Sequence, residues 1–209
     1  MGTVGVDKSM SLDGYITGPN PGPEQPLGEG GDQIFAWMMA DPAAVPRRDG
    51  GALSEEWDEQ FTDVFATTGA VIMGKRMFEI IDAPDGWVAP DGTAFPWPVF
   101  VLTHEQREPQ TKGKTAFTFV NDGPESALAQ AQVVAGDKNI GVAGGNVVQQ
   151  FLAAGLVDEI TIHLVPVFLG GGVRLFDHLG SGVTGFERVS VTETPGATHL
   201  HFRAVKETS

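Results

Sequence analysis

The chain has 209 residues, no cysteine and a formal net charge of −14. That length suits one domain with a full buried core. The missing cysteines exclude disulfides, thiolate zinc sites and cysteine nucleophiles, and the acidic balance leaves no basic stripe for nucleic acid. The N-terminus lacks a basic segment followed by an apolar core, so no secretory signal is expected. No run approaches the roughly 18 apolar residues of a membrane span. A cytoplasmic protein of one domain, residues 1–209, is expected, with neither membrane nor nucleic-acid partners.

In chain order, residues 3–7 (TVGVD) read as a first strand, followed by MSLDGYITGPN with its Asp-Gly turn and Gly-Pro breakers. A Gly/Pro-rich insertion fills about 19–52, with one short helix near Gln33–Ala40; loops of this length are lids or surface insertions. A helix over 54–68 starts at Ser54 and sets Trp57, Phe61, Val64 and Phe65 on one face. Strand 70–73 and a short helix from Lys75 come next. A second Pro-punctuated loop leads to strands 98–103 and 116–120. A helix over Pro124–Ala135, capped by Asp122, precedes strand 139–143, helix 146–154 and strand 158–165. FLGGG is a loop, and strands near 185–193 and 198–205 form a half-exposed antiparallel hairpin. Strands alternating with helices predict an α/β fold, with a mostly parallel sheet and an antiparallel terminal edge.

GAVIMGKR, residues 69–76, is one residue short of a P-loop. That motif needs a flexible loop between its glycines and a Ser or Thr after the Lys. Here the intervening residues form a buried strand, and Arg76 replaces the hydroxyl. What remains is a strand ending at Gly74, a helix start, and two cations, Lys75 and Arg76, suited to an anion. NIGVAGGNVVQQ repeats the arrangement: an apolar strand runs into Gly144–Gly145 and a helix opens at once. The G-x-G-x-x-G spacing of a dinucleotide fingerprint is absent. Lys75, Arg76, Arg107, Lys112, Lys114 and Arg174 lie near loops or element ends that suit a pocket.

Two strand-Gly-helix sites in one chain, with MSLDGYITG, VIMGKRMFE, PVFVLTH, GVAGGNVVQQFLAAGLVDEITIHLVPVFLGGGVRLF and the closing hairpin, resemble the dihydrofolate reductase-like superfamily. SLDGYI and LVDEITIHLVPVFLGGG favour its riboflavin-biosynthesis pyrimidine reductase branch in stand-alone form. The resemblance implies a mixed, mostly parallel sheet flanked by helices, and NADPH as cofactor. Gly74 and Lys75 would meet phosphates, with Lys75 or Arg76 near the 2′-phosphate. Thr103 and His104 would hold the adenosine end. Gly144, Gly145, Asn146 and Val147 would meet the pyrophosphate, and Ile16 and Thr17 would flank the nicotinamide. The family's cis peptide would fall at Ala143–Gly144 or Gly144–Gly145. Met77 stands where the family has a phosphate-binding Thr, and Ala143 where folate reductases carry glycine.

Hydride reduction of C=N or C=O also needs a proton source. Asp58, sixteen residues before Gly74, matches the spacing of the substrate carboxylate in folate reductases, and the alternative is a solvated helix charge. Asp13 of SLDG borders the substrate in the riboflavin-type branch, or simply makes a turn. Thr161 assists by resemblance, or is a β-branched core residue. His199 and His201 share a strand face without a clear third ligand, so no metal is expected. His163 reads as core or interface. Trp37, Trp87 and Trp97 suit either a heterocycle pocket or packing. The expected function is NADPH-dependent reduction of a small nitrogen heterocycle, such as 5-amino-6-(5-phosphoribosylamino)uracil or a dihydrofolate or pterin, in a homodimer. Non-catalytic binding of NADPH or a pterin is the alternative, and a flavin-binding oxidoreductase is a third reading.

Overall fold

A computed structural model describes residues 2–39, 63–64, 66–82, 95–180 and 185–205. The strands are β1 (Val4–Ser11), β2 (Tyr15–Thr17), β3 (Thr68–Gly74), β4 (Val99–Leu102), β5 (Gln110–Lys112), β6 (Thr115–Val120), β7 (Asn139–Ala143), β8 (Glu159–Val165), β9 (Val173–Arg174), β10 (Phe186–Glu193) and β11 (Thr198–Ala204). The α-helices are α1 (Lys75–Ile81), α2 (Pro124–Ala135) and α3 (Gly145–Ala153), and a 3-10 helix spans Gly31–Met38. Nine strands form one sheet in the order β10-β11-β8-β1-β7-β3-β4-β6-β5, and β2 pairs with β9 separately. The β8-to-β6 centre is parallel, and both edges are antiparallel. This is the expected dihydrofolate reductase-like α/β architecture.

Side-chain alternation sends the strands' apolar residues to two cores. On one face Val6, Ile72, Ile140, Val142, Ile160 and Ile162 pack against Ala127, Leu128 and Ala131 of α2 and Val148 and Phe151 of α3. On the other, Met73, Val99, Val101 and Phe117 meet Phe78 of α1, and Ile34 and Trp37 of the 3-10 helix cover Val165 and Ala197. Phe151 and Leu152 are buried in the first of these cores. Among the described residues no helix is long and apolar enough to cross a membrane.

Several boundaries differ from the sequence reading. The first strand runs on to Ser11 because β1 pairs with β8 in continuous parallel register from Gly5 to Ser11, which carries its polar residues into the ladder. The segment near Gln33–Ala40 is 3-10 rather than α-helical. Helix α2 is capped at Gly123, not by the Asp122 side chain; Pro124 at its first position carries no N–H, so one orphan donor of the helix start never arises. Strands β5 and β9 were not anticipated: each is two or three residues long and exists through its antiparallel partner. Most of the expected helix over 54–68, with Asp58, lies outside the described residues; Asp63, Val64, Ala66 and Thr67 at its end are helical.

Candidate functional site

Strands β3 and β7 are parallel neighbours, with Met73 opposite Ala143, so both glycine turns leave the sheet at one edge, side by side. A Cβ built on Gly144 would lie 3.8 Å from the Gly74 backbone nitrogen and 3.5 Å from Met77 Sδ. One built on Gly74 would meet Val147 Cγ2 at 3.1 Å. On Gly145 it would stand 2.5 Å from Val173 Cγ1 and 3.3 Å from Ile16 Cδ1. Gly145 has no room for a side chain, Gly74 is tight, and Gly144 is held to glycine by its φ of 84 rather than by crowding; bare backbone of this kind can approach a ligand closely. Gly144 caps α3 at φ 84 without a side-chain hydrogen bond. The N–H groups of Gly145, Asn146 and Val147 are the orphan donors of that helix start. No described peptide bond is cis, against the expectation for the bonds beside Gly144; the positive φ of Gly144 bends the trans chain instead.

The cations gather at one corner. Lys75 pairs with Glu105 and lies 3.7 Å from Glu79, and Arg107 lies 4.0 Å from Glu79. The Glu105 carboxylate raises the Lys75 pKa, and Lys75 in turn lowers that of Glu105. Arg76 donates to the Pro21 carbonyl at 3.2 Å, so it ties α1 to the first loop. Thr103 follows β4 and is buried; its hydroxyl accepts the Glu105 N–H at 3.1 Å, while His104 is exposed. Arg107, one of the cations noted near loops, stacks over Phe119 at 4.6 Å. Met77 sits beside Gly144, so the residue that departs from the family pattern lies between the two turns.

The first loop closes the other side. Ile16 is buried against Gly145 and α3, and Thr17 Oγ1 accepts the Val173 N–H at 3.3 Å. Asp13 accepts from Ser11 Oγ at 2.6 Å, Leu169 N at 3.2 Å and Gly170 N at 2.8 Å. Arg174 donates to the Asp13 carbonyl at 3.0 Å and stacks on Tyr15. The Ser11 hydrogen bond chiefly holds the Asp13 carboxyl below the usual aspartate range. A carboxylate so engaged accepts hydrogen bonds at neutral pH and clasps the FLGGG loop.

Thr161 is half-buried on β8, opposite Asp7 of β1 and His201 of β11. The same face carries Ser9, Ser11, His163 and His199, with His163 Nε2 2.9 Å from Asp7 Oδ1 and His163 Nδ1 2.6 Å from His199 Nδ1. Burial, then the neighbouring His163, lowers the His199 pKa. His163 is buried as expected, but in a polar chain. Trp37 packs over both rings, and Trp97 is buried elsewhere; Trp87 is outside the described residues. Sequence reasoning missed Asp7. Its signal was Asp7, Ser9 and Ser11, a polar set at period two opposite Val4 and Val6, but the sequence reading ended the first strand at Asp7. A depression of about 360 Å³ lined by Thr68, Gly69, Trp97 and Lys138 lies at the other end of β3 and touches none of these groups.

Residues 3–200 match the RibD C-terminal domain, and the chain belongs to that reductase-type family. It is 29% identical over 148 residues to the uncharacterized protein YwjB of Bacillus subtilis (strain 168), covering 70% of this chain and 80% of that one. The fold superposes on a putative riboflavin biosynthesis protein from Shewanella sp. PV-4 with TM-score 0.67 and 21% identity, over 98% of this chain and 99% of that chain. It also superposes on Enterococcus faecalis dihydrofolate reductase complexed with NADP(H), with TM-score 0.56 and 12% identity over 98% and 97% of the two chains.

Proposed function

We propose that the chain is an NADPH-dependent reductase of a small nitrogen heterocycle, of the type that reduces 5-amino-6-(5-phosphoribosylamino)uracil. One observation carries the reading: two side-chain-free turns, at Gly74 and at Gly144–Gly145, stand next to each other at the carboxyl edge of neighbouring parallel strands. The C-terminal edge of an open α/β sheet is where such folds bind ligands.

The residues suit a phosphorylated dinucleotide. Gly145, Asn146 and Val147 would offer backbone donors to the pyrophosphate, with the α3 dipole behind them. Gly74 would let the backbone approach, and Lys75, Arg76, Thr103 and His104 would meet the phosphates and the adenosine end. Ile16 and Thr17, pinned by Gly145 and Val173, would flank the nicotinamide. When bound, the reduced nicotinamide supplies hydride. Asp13 holds the loop that carries Ile16 and Thr17 through its bonds to Leu169 and Gly170, which makes it a positioning residue. Thr161 and Asp58 remain substrate-side candidates. A cytoplasmic homodimer belongs to the same reading: the sheet ends at β10, where Val189 and Val191 are exposed.

The test is thermal stabilisation by NADPH against NADH, followed by loss of nicotinamide absorbance with 5-amino-6-(5-phosphoribosylamino)uracil and dihydrofolate. NADPH at 100 times its dissociation constant adds about 2.7 kcal/mol. Stabilisation by NADPH with turnover of the pyrimidine supports the reading. Stabilisation without turnover identifies a binding module, and a yellow protein indifferent to NADPH identifies a flavin-binding one.

A further inference from the structure

One polar chain crosses the face formed by β1, β8 and β11. Asp7 Oδ1 lies 2.9 Å from His163 Nε2, His163 Nδ1 lies 2.6 Å from His199 Nδ1, and His199 Nε2 lies 3.0 Å from Thr194 Oγ1. Register brings them together, because His163 stands opposite both Ser9 and His199. Both histidines are buried, whereas the Asp7 side chain is 56% exposed. Trp37 covers the two rings at 4.4 and 4.9 Å, and its indole N–H donates to Ser9 Oγ at 3.0 Å. Burying polar groups at this density is costly unless each is satisfied. The chain therefore links one solvent-reachable carboxylate to a sealed imidazole pair.

Two imidazole nitrogens at hydrogen-bond distance hold one proton between them. With His199 neutral, its Nδ1–H donates to His163, His163 Nε2–H donates to Asp7 Oδ1, and the Thr194 hydroxyl donates to His199 Nε2. The Thr194 hydroxyl also lies 3.2 Å from the Ala197 carbonyl, and it turns to that acceptor when His199 Nε2 carries the proton.

We propose that Asp7, backed by the buried His163–His199 pair, hands the proton to the substrate nitrogen in the reduction. This rests on the reductase reading above. Asp7 and Ala143 each lie two residues past the paired Gly5 and Gly141, on the same face and in adjacent parallel strands. The β1–β7 pairing ends at Gly5 and Gly141, so Asp7 lies just past it, on the strand next to the one that leads into the Gly144 turn. A Cβ built on Gly5 meets no described atom within 4 Å, and one on Gly141 meets only Val71, at 3.9 Å. Among the described residues of β8 and β11 on this face, Glu159 lies 3.6 Å from His201 and 3.2 Å from Arg203. Lys8 points to the opposite face. Reduction of a C=N bond takes hydride at carbon and a proton at nitrogen. The Asp7 O–H bond breaks, an N–H bond forms, Asp7 is left as a carboxylate held by His163, and water reprotonates it.

Wild type, Asp7→Asn, His163→Gln and His199→Phe are compared for NADPH binding and for single-turnover hydride transfer to 5-amino-6-(5-phosphoribosylamino)uracil and dihydrofolate. General acids contribute about 10²–10⁴-fold, so Asp7→Asn loses at least about 10²-fold in rate while its NADPH affinity stays within about twofold. His163→Gln and His199→Phe lose less. A second readout is independent of turnover: a far-downfield imidazole proton in the proton NMR spectrum, present in wild type and the His201→Gln control and lost in His199→Phe. Asp7→Asn at the wild-type rate, or wild type without the shared proton, overturns the proposal and leaves the reductase reading standing. Wild type that binds NADPH but turns over neither probe removes the proton-donor role. Wild type that binds no NADPH ends the reductase reading and this proposal together.

Discussion

Gly144 and Gly74 face each other across the seam between β7 and β3: a Cβ on Gly144 would come within 3.8 Å of the Gly74 nitrogen. The two chain reversals lie side by side, with Met77 next to Gly144 and the Lys75 corner beside Gly74. Asp7 is on β1, the strand next to β7.

Gly145→Ala tests the Gly144–Gly145 turn. Its methyl would meet Val173 Cγ1 at 2.5 Å, and Val173 is β-branched and stiff. Overpacking of this kind costs about 1–3 kcal/mol, read as a lower midpoint in urea. NADPH affinity falls as well, because the first-turn N–H groups move with the residue.

Glu105→Gln separates the corner's charges. Lys75 is now paired with Glu105, and an exposed pair adds little to stability. The melting temperature of the variant stays close to wild type. Its NADPH affinity rises and becomes more sensitive to salt, since Lys75 is released toward a phosphate. Calorimetric titration at two ionic strengths checks this.

Asp13 sets a pH limit on the first loop. Its folded pKa is depressed, so the clasp is complete above the unfolded aspartate value of about 3.9 and is lost as pH falls through the folded one. Amide shifts of Leu169 and Gly170 followed on acidification report a midpoint below that of a free aspartate. In Asp13→Asn those amides exchange faster at every pH.

His199 acts at higher pH. Its folded pKa is also depressed, by burial and by His163, so the unfolded chain binds the extra proton first. Stability is complete above the unfolded histidine value of about 6.5 and declines as pH falls toward the folded value. Melting temperatures measured from pH 8 to pH 5 show the decline, and it is smaller in His199→Phe.

Phe151→Ala tests the α3 core contact. Phe151 is fully buried among β1, β7 and α2 residues, and such truncations cost about 3–5 kcal/mol. Denaturant unfolding measures the loss.

In the parallel centre, β3 and β7 were legible as short apolar runs leading into glycine, and α2 and α3 as helices opening at Pro124 and directly after the Gly144–Gly145 turn. Both glycine turns were visible for the same reason. Strands β5 and β9 were not, since QTK and VR carry no period of their own and depend on partners remote in space. Asp13 was visible as a turn residue, but its bonds to Leu169 and Gly170 join segments more than 150 residues apart, which local pattern does not encode. Asp7 and His163 escaped for a related reason. Each looks ordinary in its own strand, and only the β1–β8–β11 register makes them a pair.

The most direct measurement is amide hydrogen exchange of the wild-type chain with and without saturating NADPH. Simultaneous protection of residues 74–77 and 144–148 is the predicted result, because one ligand spans both turns. Protection at only one turn, or at neither, would contradict it.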